Sequence, residues 1–182
     1  MKTSNTYIKS IGAKALAFVS IFACAFSYAQ AQTAETVKQS GAWSSGETWN
    51  SGVPPTTSST SPLYGISFNA NSLSLTVDDT QYVLYIDANR TGTNVIINSG
   101  AVLHMVGTAS NNLFVSSGGT TFSGAGSLYI NLFNTEGVAT QKYIHGGDIT
   151  FNSAVSTSEG GRITLVAQAE GTSASLTFNK DF

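Results

Sequence analysis

Short segments in which apolar and polar residues alternate recur along this chain, and they constrain the fold more than any other feature of the sequence. Alternation with a period of two places apolar side chains on one face of a β-strand. Beyond residue 31, no segment keeps the apolar spacing of a helix for three turns. The pattern therefore predicts an all-β chain. Its strands are expected at 72–77, 81–87, 94–97, 101–106, 112–115, 127–133, 148–151, 162–167 and 174–178.

The segments between these strands are rich in Gly, Ser and Asn, as in NSG at 98–100, SSGG at 116–119 and HGGD at 145–148. Short strands joined by such turns occur in β-sandwiches, barrels and solenoids. Units of strand, polar turn and strand, without the Asn-Gly loops typical of hairpins, favour a solenoid. We expect a β-solenoid, and a β-sandwich is the alternative.

The N-terminal residues have the features of an export signal. Three lysines precede an apolar run at 15–26, and AQA at 29–31 has the small-x-small pattern of a cleavage site. The run is shorter than the roughly 20 residues that span a bilayer. Residues 1–31 are therefore predicted to be a signal peptide cleaved near Ala31, so that the mature chain is secreted or lies at the cell surface. Lipid attachment at Cys24 is the alternative.

Composition excludes several functions for the mature chain. Its 151 residues contain ten acidic and five basic side chains, a net charge of −5, and no cysteine. A chain with so few cations is not expected to bind nucleic acid or an anionic membrane surface. Without cysteine, it has neither disulfides nor a thiolate metal site. We expect no cofactor and no membrane-spanning segment in the mature chain.

Both tryptophans, Trp43 and Trp49, lie in the loop-like segment SGAWSSGETWNSGVPP at 40–55. The first turn of a solenoid has no preceding turn to cover its core, so an apolar cap is needed there. Residues 32–62 are predicted to form an N-terminal segment with a tryptophan cap, at least one indole being buried; an exposed binding platform is the alternative. Residues 63–182 are predicted to form the solenoid, truncated at its C-terminal end.

The order of these features between residues 41 and 107 resembles secreted bacterial parallel β-helix proteins of the autotransporter passenger-like kind. It is also similar to the eight-glycine domain of cell-surface proteins. The resemblance implies a right-handed parallel β-helix that acts at or beyond the cell surface as an adhesin, matrix component or scaffold, although some β-helices cleave polysaccharides. It rests on Trp43, Trp49, Gly52, Pro54, Val77, Asp78, Ser99 and Gly100.

Acid–base chemistry on sugars requires paired carboxylates, or a carboxylate beside a cation. The candidates are Asp78, Asp79, Asp87, Arg90 and His104. We interpret the three aspartates as turn residues whose side chains bond their own backbone. His145 and Asp148 are close in sequence, but no third or fourth metal ligand lies nearby. No catalytic, cofactor-binding or metal-binding residue is assigned.

Exposed tyrosines could stack on sugars, and the candidates are Tyr82, Tyr85, Tyr129 and Tyr143. Tyr82 and Tyr85 are an odd number of positions apart, so one flat strand cannot present both on one side. An ice-binding face would require ranks of Thr-x-Thr, and only TGT at 91–93 has that form. The sequence thus predicts a non-enzymatic structural or adhesive domain, with extracellular polysaccharide or surface proteins as partners. A polysaccharide-binding or polysaccharide-degrading β-helix is the alternative.

Overall fold

A computed structural model describes residues 33–59, 64–106, 112–116, 119–132, 141–158, 160–166 and 175–180. The predicted signal peptide, with Cys24 and the cleavage site near Ala31, lies outside the described residues. Within them the chain forms β-strands and one 3-10 turn, Gly46–Thr48, and no helix long and apolar enough to cross a membrane. The strands are β1 Thr33–Val37, β2 Gly41–Ala42, β3 Tyr64–Phe68, β4 Ser74–Val77, β5 Gln81–Ala88, β6 Asn94–Ile97, β7 Val102–Met105, β8 Asn112–Ser116, β9 Thr120–Ser123, β10 Ser127–Ile130, β11 Gln141–Gly146, β12 Ile149–Phe151, β13 Ala154–Thr157, β14 Arg162–Val166 and β15 Leu176–Phe178.

The all-β class is confirmed, and each of the nine predicted strands is present. Sequence alternation did not identify β1, β2, β3, β9, β11 and β13. Two of these carry a polar residue at an inward position: Thr120 in β9 is 1 % exposed and Lys142 in β11 is 2 % exposed. Because a polar residue replaces the expected apolar one, the period-two pattern is broken at these strands.

The strands pair in parallel throughout the described residues, and they form a nine-stranded and a six-stranded sheet. The only antiparallel contact among them is an isolated bridge between Val37 and Trp49. Parallel neighbours need a crossover connection, so strands that are adjacent in the sheets are distant in sequence.

The pairing is described most simply as three ladders of stacked parallel strands. The first ladder contains β1, β3, residues 85–88 of β5, β8, β11 and β14. The second ladder is the six-stranded sheet, β2, β4, β6, β9, β12 and β15. The third ladder contains residues 81–83 of β5, β7, β10 and β13. Strand β5 thus belongs to two ladders, the third and then the first.

The core lies between the ladders and consists of residues aligned in register. In the second ladder Leu75, Val95, Phe122 and Phe151 are buried and occupy equivalent positions of successive strands. The ring centroids of Phe122 and Phe151 are 5.1 Å apart, and Phe178 continues the stack at 4.9 Å. In the third ladder the equivalent buried residues are Leu103, Leu128 and Val155. Burial of these apolar side chains is the main contribution to stability.

The two tryptophans are buried at the N-terminal end of this core, with Trp43 2 % exposed and Trp49 0 % exposed. The prediction that at least one indole is buried is therefore confirmed. Their segment also contributes strands, because β1 pairs with β3 and β2 pairs with β4. Residues 33–59 thus extend both sheets in addition to covering the core.

Candidate functional site

The outward side of the third ladder carries a column of aromatic side chains from three neighbouring strands. Tyr82 of β5, His104 of β7 and Tyr129 of β10 occupy equivalent positions in the strand register, and each is half-buried. The ring centroids of Tyr82 and His104 are 4.4 Å apart with planes at 10°, and those of His104 and Tyr129 are 5.2 Å apart at 55°. We call these three residues the aromatic column.

The geometry of the aromatic column determines which parts of the rings a ligand could contact. Two nearly parallel rings whose centroids are 4.4 Å apart overlap face to face with an offset, because rings lying side by side would be further apart. The faces of Tyr82 and His104 therefore cover each other. These two faces are therefore not open to a sugar ring, and the His104 ring is flanked by a tyrosine on each side.

His104 lies between the two tyrosines, and burial lowers the pKa of its imidazole below 6.5. The ring is therefore neutral at pH 7 and can donate one hydrogen bond and accept another. On the N-terminal side of the column, the Thr57 hydroxyl donates to Oε1 of Gln81 at 2.7 Å and accepts from the Tyr82 backbone N–H at 3.0 Å. Thr57 thus lies against the strand that begins the column.

The predicted acidic candidates lie at the ends of two strands, Asp78 and Asp79 after β4 and Asp87 near the end of β5. Asp87 at the end of β5 accepts a hydrogen bond from the Asn89 backbone N–H at 3.1 Å, and Asp79 after β4 accepts one from the Thr80 N–H at 2.7 Å. Both carboxylates bond nearby backbone, as interpreted from the sequence, but Asp87 is a residue of β5 and is paired with Ser67 and Val115. The interpretation is wrong for Asp78, whose carboxylate accepts hydrogen bonds from the backbone N–H and hydroxyl of Ser44. These hydrogen bonds connect the N-terminal loop to the residue that follows β4 of the second ladder.

The remaining candidates are also engaged in separate interactions. The Arg90 Nε donates to the carbonyl oxygen of Phe68 at 3.4 Å, and Oδ1 of Asp148 accepts from the Ser175 hydroxyl at 2.7 Å. The side chain of His145 lies outside the described part of the structure. Within that part, no group of three or more His, Cys, Asp or Glu residues is arranged to hold a metal ion.

Alternation predicted that Tyr82 and Tyr85 lie on opposite sides of β5, and this is wrong because the inward residues Val83 and Ile86 are three positions apart. Tyr82 and Tyr85 are both half-buried, but Tyr82 belongs to the third ladder, whereas Tyr85 pairs with Gly65 of the first ladder. The Tyr85 ring lies directly over Gly65, where a Cβ atom would collide with it. Tyr129 joins Tyr82 in the aromatic column, and the Tyr143 side chain lies outside the described part.

Sequence inspection missed Lys142, which occupies an inward position of β11 beside the equally buried Ile144. Burial lowers the pKa of its amine below 10.5. The sequence indicates this burial only through spacing: Lys142 and Ile144 are two residues apart, so their side chains lie on the same side of a strand. Nothing in the type of residue indicates burial, since lysine is rarely found in a core.

The interior holds a cavity of about 10 Å³ lined by apolar side chains of all three ladders. A space of this size admits about one water molecule, and an apolar cavity of that kind stays dry. It is a packing gap and provides no room for a substrate. The lining residues are Met105, Leu113, Phe122, Leu128, Ile130, Ile144 and Phe151.

Comparison with known proteins supplies no relative: no family model, no curated protein and no solved structure matches this chain.

Proposed function

We propose that the chain is an exported right-handed parallel β-helix with a structural or adhesive, non-enzymatic role at the cell surface. The architecture is supported by the order in which the ladders are visited. From β3 onward the chain passes through the first, second and third ladders and then returns to the first beside its own earlier strand. Right-handed crossovers account for nearly all parallel connections within one sheet.

The β-sandwich alternative receives less support from the same pairing. Sandwiches are built from antiparallel sheets with hairpin and Greek-key connections. Here the described strands pair in parallel, and the bridge between Val37 and Trp49 is the sole antiparallel contact. A solenoid accounts for both facts, since its strands stack on the preceding turn and the bridge lies within the N-terminal segment.

The observation that carries the functional proposal is the use of the outward aromatic column. Tyr82 stacks on His104 and Tyr129 contacts His104 at a tilt, so these rings pack against one another and contribute to the stability of the third ladder. The carboxylates that a polysaccharide-cleaving site would require each bond a different local partner. Both features favour a rigid scaffold over a catalytic groove.

An exported location follows from the predicted signal peptide and is tested by expressing the full chain in a bacterial host. We expect the protein in the medium or on the cell surface, with an N-terminus near residue 32. Retention in the cytoplasm with an intact N-terminus would contradict the proposed location.

The structural role is tested by assaying the purified protein against an array of neutral and acidic polysaccharides, for binding and for release of reducing ends. We expect neither binding nor release of reducing ends. Tyr82→Leu and Tyr129→Leu are each expected to lower the free energy of unfolding by about 1 kcal/mol, in addition to the loss that results from the smaller buried area. Saturable binding that is lost in His104→Leu, with the fold retained by circular dichroism, would instead favour the polysaccharide-binding alternative.

A further inference from the structure

The outward side of the second ladder is a continuous surface of short uncharged side chains. Alternation of burial in β4, β6, β9 and β12 places one outward residue on either side of a central inward residue, the second one following directly after the strand in β12. Strand β15 continues the same register, although its Phe178 is 40 % exposed. The first outward column contains Ser74, Asn94, Thr121, Thr150 and Thr177. The second contains Thr76, Ile96, Ser123, Asn152 and Asn179. We call these two columns together the hydroxyl face.

The hydroxyl face is evenly spaced. The second ladder has no register shift in its described pairings, whereas the nine-stranded sheet shifts between Tyr64 and Gly65 and between Tyr143 and Ile144. Directly behind the face, the Phe122, Phe151 and Phe178 rings stack at 5.1 and 4.9 Å. The inter-strand hydrogen bonds set the separation of the strands, and the stacked rings fill the space behind them at a similar spacing.

The side chains of the hydroxyl face are also held in place. The Ser123 hydroxyl donates to Oδ1 of Asn94 at 3.2 Å, and Nδ2 of Asn179 donates to Oδ1 of Asn152 at 2.8 Å. The threonines are stiff because they are branched at Cβ. A ligand would therefore lose little side-chain entropy on this face when it orders there.

The chemistry of the hydroxyl face selects the kind of partner. It carries no charged side chain, so it does not attract ions or phosphate groups. It also carries no aromatic ring, and a sugar would find nothing to stack on. What remains is a lattice of hydroxyl, amide and methyl groups repeating at the strand spacing of about 4.8 Å. Ordered water bonds well to such groups, so an evenly spaced array of them can hold water molecules in a regular arrangement.

We propose that the hydroxyl face binds ice, with the aligned Thr121, Thr150 and Thr177 at its centre. No strand of the hydroxyl face has the Thr-x-Thr form, so binding rests on the single column of aligned threonines; in the sequence the form occurs only at 91–93. That segment is not such a face, since Thr93 is buried and lies 3.0 Å from the Thr120 hydroxyl oxygen. The threonines instead align across strands, at sequence separations that only the fold brings together.

The proposal is tested by growing single ice crystals in solutions of the purified protein and measuring their shape and the gap between freezing and melting. We expect faceted crystals and a measurable gap. Thr150→Lys places a flexible charge in the centre of the face and is expected to abolish both effects. The matched control is Ser156→Lys, at an exposed position of β13 on the third ladder, which is expected to change neither.

The possible results distinguish ice binding from the alternatives. Unaltered ice growth with the folded wild-type protein overturns the proposal, as does an equal loss in Thr150→Lys and Ser156→Lys. Circular dichroism of each variant shows that the fold is retained, and Thr150→Val, which keeps the shape of the side chain, is expected to retain part of the effect. Binding to an insoluble neutral polysaccharide that Thr150→Lys abolishes, with no effect on ice, would assign the face to a sugar instead.

Discussion

The indole Nε1 of Trp49 donates a hydrogen bond to the backbone carbonyl oxygen of Trp43 at 2.7 Å, while the two rings meet edge to face with centroids 4.8 Å apart. The Trp43 Nε1 in turn donates to the carbonyl oxygen of Pro55 at 3.1 Å. Both polar ring atoms are therefore satisfied although both rings are buried. This arrangement explains how a segment of loop-like composition closes the end of an apolar core.

Truncation of either ring is expected to open that end of the core. Trp49→Ala should lower the free energy of unfolding by about 3–5 kcal/mol, because it leaves a large cavity and removes the hydrogen bond to Trp43. Urea unfolding followed by far-ultraviolet circular dichroism measures the change. The control is Val53→Ala in the same segment, where the side chain is 66 % exposed and a change within about 0.5 kcal/mol is expected. Similar effects of both substitutions would contradict the cap.

Gly65 and Tyr85 form a close pair between β3 and β5, because a Cβ atom at residue 65 would overlap the Tyr85 ring. Gly65→Ala is expected to cost about 1–3 kcal/mol by overpacking. In a Tyr85→Ala background the same substitution should cost much less, since the ring that blocks the methyl group is gone. A double-mutant cycle from chemical denaturation measures this coupling. Additive effects would show that the ring does not lie over Gly65.

The pKa of His104 predicts how stability depends on pH. Burial lowers its folded-state pKa below the unfolded value of 6.5, so the unfolded chain binds more protons in the acidic range. Stability is therefore complete above pH 6.5 and is lost as the pH falls toward the folded pKa. His104→Phe, which keeps a ring in the aromatic column, should remove this dependence. Nuclear magnetic resonance titration of the His104 ring gives the pKa directly, and a value at or above 6.5 would refute the prediction.

Lys142 predicts a second dependence at alkaline pH. Burial lowers the folded-state pKa of its amine below 10.5, so the unfolded chain again binds more protons over the range between the two values. The free energy of unfolding of the wild type should rise, relative to Lys142→Met, as the pH increases toward 10.5. Denaturation of both proteins at neutral pH and near pH 10 measures the difference. A constant difference across this range would show that the amine reaches water.

The strands could be predicted from sequence where apolar residues face inward, as in β6 and β7, since alternation depends only on which side of the strand is buried. Prediction failed in β9 and β11, where Thr120 and Lys142 take inward positions. Their burial depends on the neighbouring strands of the ladders, which lie far away in sequence. The Asp78 contact with Ser44 could not be predicted for the same reason.

The candidate sites could not be predicted from alternation either. The inward residues Val83 and Ile86 of β5 are three positions apart, so Tyr82 and Tyr85 both take outward positions and are separated only because they belong to different ladders. Neither the aromatic column nor the hydroxyl face can be deduced from the chain, because their members come from different strands and the connections between them vary in length. The register of parallel strands decides which residues become neighbours.

The sequence by itself determined the all-β class, nine of the strands and the need for an apolar cap at Trp43 and Trp49. These properties follow from local periodicity and from the cost of leaving large apolar rings in water. The tertiary structure decided that the pairing is parallel, which residues stack into columns and which polar groups are buried. Those properties depend on hydrogen bonds and packing between segments that are remote in sequence, and the local pattern of a strand carries no information about its neighbours.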